Sequence, residues 1–87
     1  MAAQNSLVAD IVLARRSPSS FDCCNIPALD AWLQERSYRP YPAKNVTEDG
    51  RLRRGASLIV LYHSGSVVVQ GGDVPLALRL LNSLEVR

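Results

Sequence analysis

The sequence has few of the residues that build metal sites and disulfide frameworks. Among its 87 residues there are two cysteines and one histidine. Cys23 and Cys24 are adjacent, and adjacent cysteines rarely bond to each other because the peptide between them becomes strained. We expect both to stay as thiols, which suits a reducing compartment and predicts a cytoplasmic protein. A structural zinc site needs about four ligands, and since His63 is the only histidine we expect neither a metal nor a cofactor.

Long hydrophobic runs are also missing. The longest uninterrupted apolar run is Leu58 to Tyr62, whereas a membrane-spanning helix needs about 20 such residues. Met1 to Asn5 has no basic residue, and Asp10 interrupts the first hydrophobic segment, so we expect no secretory signal. The sequence therefore predicts a protein with no membrane partner.

Recognisable catalytic arrangements are missing as well. The eight acidic residues are scattered along the chain, whereas metal-dependent nucleases need a cluster of carboxylates. His63 has no motif partner, and neither cysteine lies beside an obvious basic helix end. We therefore expect a protein that binds a partner and is not an enzyme.

What the sequence does contain is arginine. Nine of the ten basic residues are arginine, with Lys44 as the exception, and the formal net charge is +2. Arginine favours bidentate contacts with phosphate or carboxylate groups. Several basic residues fall in the middle of the chain: Arg36, Arg39, Lys44, Arg51, Arg53 and Arg54. They form either a solvated loop and strand edge or part of a surface for an anionic partner.

Length and patterning predict a single α+β domain over residues 1–87. Leu7 to Ala14 is rich in β-forming residues and favours a first strand, with a short helix as the alternative. Asn25 is suited to cap a helix that has Pro27 in its first turn. That helix should end near Ser37.

The middle of the chain favours extended structure broken by turns. Tyr38 to Pro42 contains two prolines, which predicts an edge strand or an extended loop. Thr47 to Gly50 is a turn signal. Arg51 to Gly55 favours a further strand with a bulge or bend at its glycine.

A β-hairpin followed by a helix is the clearest signal. Ser57 to His63 and Ser66 to Gln70 are rich in apolar and β-branched residues, and Ser64-Gly65 between them predicts a two-residue turn. Asp73 is suited to cap the final helix. The apolar stripe of that helix is Leu76, Ala77, Leu80, Leu81 and Leu84. The predicted fold class is α+β, a small antiparallel sheet with a helix before and a helix after the central strands.

A two-residue turn would fix which side chains share a face of the hairpin. It places Tyr62 opposite Val67, and the wholly apolar face that results should meet the helices: Leu58, Val60, Tyr62, Val67 and Val69. The other face mixes apolar and polar groups: Ile59, Leu61, His63, Ser66, Val68 and Gln70. Such a mixture is typical of a recognition surface. The alternative is that the N-terminal strand, the loop through the cysteines, or the second subunit of a homodimer covers it.

The hairpin also resembles a known family. Tyr62, Ser64, Gly65, Val67, Gln70 and Gly71 match the Tyr-x-Ser-Gly-x-Val-x-x-Gln-Gly hairpin of TBP-like domains, in particular the N-terminal substrate-binding domain of ribonuclease HIII. The likeness covers residues 55–84. It implies a curved sheet with helices on one face and nucleic acid or another partner on the other. The ribonuclease catalytic domain has no counterpart here.

A shorter stretch resembles a different family. Phe21 to Leu33 is similar to the first helix of GNAT-type acetyltransferase toxins. The glycine-rich loop with which that family holds a pyrophosphate has no counterpart in this sequence. Gly71-Gly72 before a helix is more simply a strand end and helix cap.

The expected function is a non-catalytic module that binds nucleic acid through the mixed sheet face and its arginines. The alternative is a protein-interaction module, such as a phage- or plasmid-type inhibitor or regulator of a host protein. The candidate binding residues are Arg51, Arg53, Ile59, Leu61, His63, Val68 and Gln70.

Overall fold

A computed structural model describes residues 11–84, which form one six-stranded antiparallel sheet and two helices. In chain order the elements are β1 (Leu13–Ser17), β2 (Ser20–Cys23), α1 (Ile26–Glu35), β3 (Arg39–Tyr41), β4 (Glu48–Arg54), β5 (Ser57–Tyr62), β6 (Ser66–Gly71) and α2 (Val74–Asn82). The strands lie in the order β1-β2-β6-β5-β4-β3. The α+β fold class that the sequence predicts is confirmed. No helix of the described residues is long and apolar enough to cross a membrane.

Helix α1 begins and ends with the signals that the sequence carries. The Asn25 side chain accepts a hydrogen bond from the Ala28 N–H at 3.2 Å, which satisfies a backbone donor of the first turn. At the other end Ser37 adopts a left-handed φ of 74°. The N–H of Tyr38 then donates to the Leu33 carbonyl at 3.1 Å, closing a Schellman motif. The buried Tyr38 is thereby directed into the core, where its hydroxyl lies 2.8 Å from the Ser57 hydroxyl.

The hairpin of β5 and β6 exists, but its turn is one residue longer than predicted. The Gly65 N–H donates to the Tyr62 carbonyl at 3.0 Å, and Gly65 has a φ of +98°. These features define a three-residue loop over residues 63–65, in which glycine supplies the left-handed position. Leu61 therefore pairs with Val67, not with Val68. The two-residue turn lies instead between β4 and β5, where Arg54 pairs with Ser57.

This shift of one residue reverses the predicted faces of β5, because side chains alternate along a strand. Ile59 and Leu61 are fully buried in the core cluster together with Val67 and Val69. The prediction that they lie on a recognition face is wrong. Leu58, Val60 and Tyr62, which the sequence predicted to meet the helices, lie on the opposite face.

Both helices pack on the same side of the sheet. Leu29, Trp32 and Leu33 of α1 join Ala77 and Leu81 of α2 in one core cluster with the inward-facing strand residues. The final helix packs on the sheet as predicted. Its most deeply buried leucine is Leu81, whereas Leu80 is only partly buried.

The outer strands depart from the predicted boundaries. The described part of the predicted first strand begins pairing at Leu13 and continues to Ser17, while residues 7–10 lie outside the described residues. The predicted turn at 47–50 is displaced, because Glu48 already belongs to β4 and a bulge separates it from Gly50. Arg39–Tyr41 pairs with β4 at the sheet edge, as its prolines predicted.

Candidate functional site

One face of the sheet is covered by neither helix, and we call it the open face. Successive side chains of a strand point to opposite faces, so this face carries the residues that alternate with the core residues. The pairing register aligns them in two rows across the strands. One row is Arg39, Arg53, Leu58 and Gln70, and the next is Tyr41, Arg51, Val60, Val68 and Ser20. Apolar side chains of β5 thus lie between arginines of β4 on one side and Gln70 and Val68 of β6 on the other. Leu58 and Val60 are nevertheless buried.

Two arginines of the open face stand directly opposite each other. Arg39 of β3 pairs with Arg53 of β4, and both are exposed. Like charges placed opposite each other across two strands destabilise a sheet. Among the described residues, no carboxylate forms an ion pair with either guanidinium. The pair therefore presents concentrated positive charge that an anion would stabilise.

The third arginine of this surface is held by a carboxylate. Arg51 Nε lies 2.8 Å from Glu48 Oε1, and Arg51 Nη2 lies 2.9 Å from Glu48 Oε2. The Lys44 backbone N–H also donates to Glu48 Oε1 at 3.0 Å. These hydrogen bonds, chiefly those from Arg51, lower the pKa of Glu48 from 4.5 to about 2. Glu48 therefore fixes Arg51 and ties the loop of residues 42–47 to the sheet.

That loop makes one end of the open face concave. A cleft of about 560 Å³ lies between β3, β4 and the loop. It is lined by Tyr41, Pro42, Lys44, Arg51, Arg53 and Leu58. Tyr41 is 50% exposed although it is a large aromatic residue. The cleft thus combines an aromatic wall, an apolar floor and cationic side chains.

A second, smaller hollow lies at the other end of the open face. Its volume is about 310 Å³, and it is lined by Arg16, Ser17, Ser20, Phe21, Ser66 and Val68. The hydroxyls of Ser17 and Ser20 lie 2.6 Å apart. Arg16 Nη1 is 3.4 Å from Asp22 Oδ1 in an exposed pair, which contributes little to stability. This hollow offers hydroxyl and guanidinium donors to a polar ligand.

The structure divides the predicted binding residues into three groups, which lie on the open face, in the core and on the hairpin turn. Arg51, Arg53, Val68 and Gln70 lie on the open face, with the two arginines in the cleft and Val68 in the second hollow. Ile59 and Leu61 lie in the core on the other side of the sheet. The open face thus brings together four of the predicted residues.

His63 stands apart from both hollows, on the hairpin turn. Its Nδ1 lies 3.5 Å from Asp49 Oδ1, and its backbone N–H donates to the Thr47 carbonyl at 3.1 Å. The side chain is exposed. These contacts tie the hairpin turn to the start of β4.

Several residues of the cleft were not predicted. Tyr41 and Pro42 come from a segment that the sequence marks only as extended, and Leu58 was assigned to the core. Lys44, which also lines the cleft, and Arg39, which lies opposite Arg53 outside the cleft, are predicted only as members of the basic cluster. No local sequence signal brings these residues together, because the register of β3 against β4 places Tyr41 beside Arg51.

The described residues contain no group of three or more histidine, cysteine or acidic side chains placed to hold a metal. Cys23 is buried and Cys24 is exposed, and both are thiols. Burial raises the pKa of the Cys23 thiol. Cys23 lies in the hydrophobic core cluster.

The fold is similar to that of a solved ribonuclease. RNase H3 from Aquifex aeolicus superposes with a TM-score of 0.59 and 18% sequence identity over 83% of this chain and 26% of that chain. The resemblance to ribonuclease HIII that the hairpin sequence predicts is thus confirmed at the level of the fold. This chain spans about a quarter of the length of that ribonuclease. No protein-family profile and no curated protein sequence matches this chain.

Proposed function

We propose that this protein is a non-catalytic, cytoplasmic module that binds nucleic acid on the open face of its sheet. The observation that carries the proposal is the placement of Arg39 opposite Arg53 on a face that neither helix covers. The repulsion between the two guanidinium groups lowers the stability of the fold. A polyanion that bridges the two groups would offset this loss of stability. Arginine is well suited to this role because it binds phosphate in a bidentate manner.

The shape of the face supports an extended ligand. The row from Ser20 to Tyr41 crosses five strands, and four spacings of about 4.8 Å make it roughly 19 Å long. The second hollow lies at one end of this row and the cleft at the other. A ligand that crosses the sheet would contact both. The similar solved fold belongs to a ribonuclease, an enzyme that acts on RNA.

Salt dependence tests this proposal. We would measure binding of a fluorescent 20-nucleotide single-stranded RNA, the same sequence as DNA, and an RNA–DNA hybrid between 50 and 200 mM salt. Each phosphate contact contributes about −0.7 to the slope of log K against log salt for a single strand. The double variant Arg39→Gln/Arg53→Gln should therefore have a slope shallower by roughly 1.4.

The matched control is Arg79→Gln, which removes an exposed arginine from α2 on the opposite side of the sheet. It should leave the slope unchanged. Arg79→Gln removes one positive charge and the double variant removes two, so a loss in Arg79→Gln of about half that in the double variant would mean that net charge, and not the open face, drives binding. Absence of binding to all three probes at 50 mM salt would contradict the proposal and favour the protein-interaction alternative.

A further inference from the structure

We propose that the cleft of Tyr41, Lys44, Arg53 and Leu58 receives one unstacked nucleotide of a single strand. Its base would stack on Tyr41, and its phosphate would bind Arg53 and Lys44. The inference rests on the proposed nucleic-acid binding and assigns a ligand class to one part of the face. A protein with such a site binds the bases of a single strand, whereas a protein without it contacts only the phosphate backbone of a duplex.

The cleft has the size and rigidity of a ligand site. Small-molecule sites occupy roughly 300 to 1,000 Å³, and this cleft measures about 560 Å³. Its wall does not depend on a loosely held loop, because Glu48 accepts hydrogen bonds from both Arg51 and the Lys44 backbone. Asn45 Oδ1 also accepts from the Thr47 N–H at 3.1 Å. The space is therefore present before a ligand arrives.

The aromatic wall points to a base. Tyr41 pairs with Arg51 on the edge strand and keeps half of its surface exposed. Leu58 supplies apolar surface in the same cleft. Exposed aromatic rings in single-strand binding proteins form stacking platforms that accept any base. Bases paired in a duplex are stacked on their neighbours and do not enter such a cleft without being unpaired.

The charges point to a phosphate beside that base. The charge of Arg51 is neutralised by Glu48. Among the described residues, the side chains of Lys44 and Arg53 form no ion pair with a carboxylate. The cleft therefore retains two cationic groups. An acidic peptide would use these cations but has no need of the aromatic wall, so the combination favours a nucleotide.

The test compares Tyr41→Ala and Tyr41→Phe in the full-length protein. Dissociation constants for a single-stranded RNA hexamer and for its duplex would be measured by fluorescence anisotropy at 50 mM salt, after circular dichroism confirms that each variant is folded. Loss of stacking should weaken hexamer binding about tenfold in Tyr41→Ala, while Tyr41→Phe keeps the ring and should stay within about twofold of the wild type. The wild type should bind the duplex at least about tenfold more weakly than the hexamer.

Each other outcome overturns the inference. If Tyr41→Ala binds the hexamer as well as the wild type does, the cleft is not a nucleotide site, although nucleic-acid binding elsewhere on the open face stands. Equal loss in Tyr41→Phe and Tyr41→Ala would show that the hydroxyl, and not ring stacking, is recognised. If polyglutamate displaces the labelled RNA hexamer as well as the unlabelled hexamer does, the cleft is an acidic-peptide site. If the wild type binds neither RNA, this inference fails; the proposed function fails with it only if the three 20-nucleotide probes are not bound either.

Discussion

At the scale of single residues, Glu48 determines the shape of the candidate site. It is almost fully buried, with 2% of its side chain exposed, although it lies in a segment that the sequence predicts as a turn. The bulge after Glu48 allows Arg51 to reach both carboxylate oxygens. A buried carboxylate is tolerated only when it is paired and hydrogen-bonded in this way.

The pair predicts an acid-sensitive contribution to stability. Because the pKa of Glu48 is about 2 in the folded protein and 4.5 is its ordinary value, the ionised form stabilises the fold above pH 4.5. That contribution is lost as the pH falls from about 5 to about 2. In Glu48→Gln the free energy of unfolding should be lower at pH 7 and should decline less over this range.

Urea melts at intervals between pH 2 and pH 7 would measure this difference. The control is Asp22→Asn, which removes an exposed carboxylate whose ion pair with Arg16 contributes little to stability and leaves the Glu48–Arg51 pair in place. Parallel curves for the wild type and Glu48→Gln would mean that the pair does not stabilise the fold.

At the scale of elements, the three-residue turn of the central hairpin determines the register of β5 against β6 and therefore which side chains of β5 face the helices. Gly65 meets β2 closely, because the Cys23 N–H donates to the Gly65 carbonyl at 2.8 Å. A Cβ at Gly65 would lie 2.9 Å from the Cys23 carbonyl oxygen. The turn is therefore fixed by its own glycine and by its contact with a neighbouring strand.

Helix α2 yields a prediction that separates two adjacent leucines. Leu81 is fully buried, whereas Leu80 only borders the core cluster. Truncation of a buried leucine costs about 2 to 5 kcal/mol. Leu81→Ala should therefore destabilise the fold within this range, and Leu80→Ala should cost less than half as much. Chemical denaturation measures both values, and a larger loss in Leu80→Ala would show that the helix is rotated about its axis.

At the scale of the whole molecule, the fold separates a packed face from a charged one. Leu61 and Arg53 lie on adjacent strands, yet Leu61 packs under the helices and Arg53 faces the open side. We therefore expect substitutions on the open face to affect the proposed binding and substitutions in the core to affect stability, independently of each other.

Two substitutions test that separation. Leu61→Asp should unfold the protein, because it buries an unpaired charge at a fully buried position. Arg53→Glu should change the free energy of unfolding by less than about 0.5 kcal/mol and should weaken RNA binding at low salt. Its new carboxylate also removes the repulsion with Arg39. Circular dichroism and anisotropy would report the two effects, and a folded Leu61→Asp would contradict the assigned register.

The sequence by itself determined the types and order of most elements. Asn25 and Asp73 are helix caps whose side chains accept the expected hydrogen bonds, because capping is a local interaction. The two apolar, β-branched runs of the hairpin likewise specify strands, because this preference is also local. The concentration of arginine in the middle of the chain is also a property of the sequence, and the structure places two of these arginines, Arg51 and Arg53, on the open face.

Only the tertiary structure decided which face of β5 is buried and which residues complete the cleft. Leu58 to Leu61 is apolar at every position, so alternation cannot identify the inward side chains, and one residue in the turn reverses them. The pairing of β3 with β4 likewise brings Arg39 opposite Arg53 and Tyr41 opposite Arg51, across a separation in sequence that no local pattern spans. Local interactions specify elements, whereas register and strand partners are set by how the whole sheet buries its apolar surface against both helices.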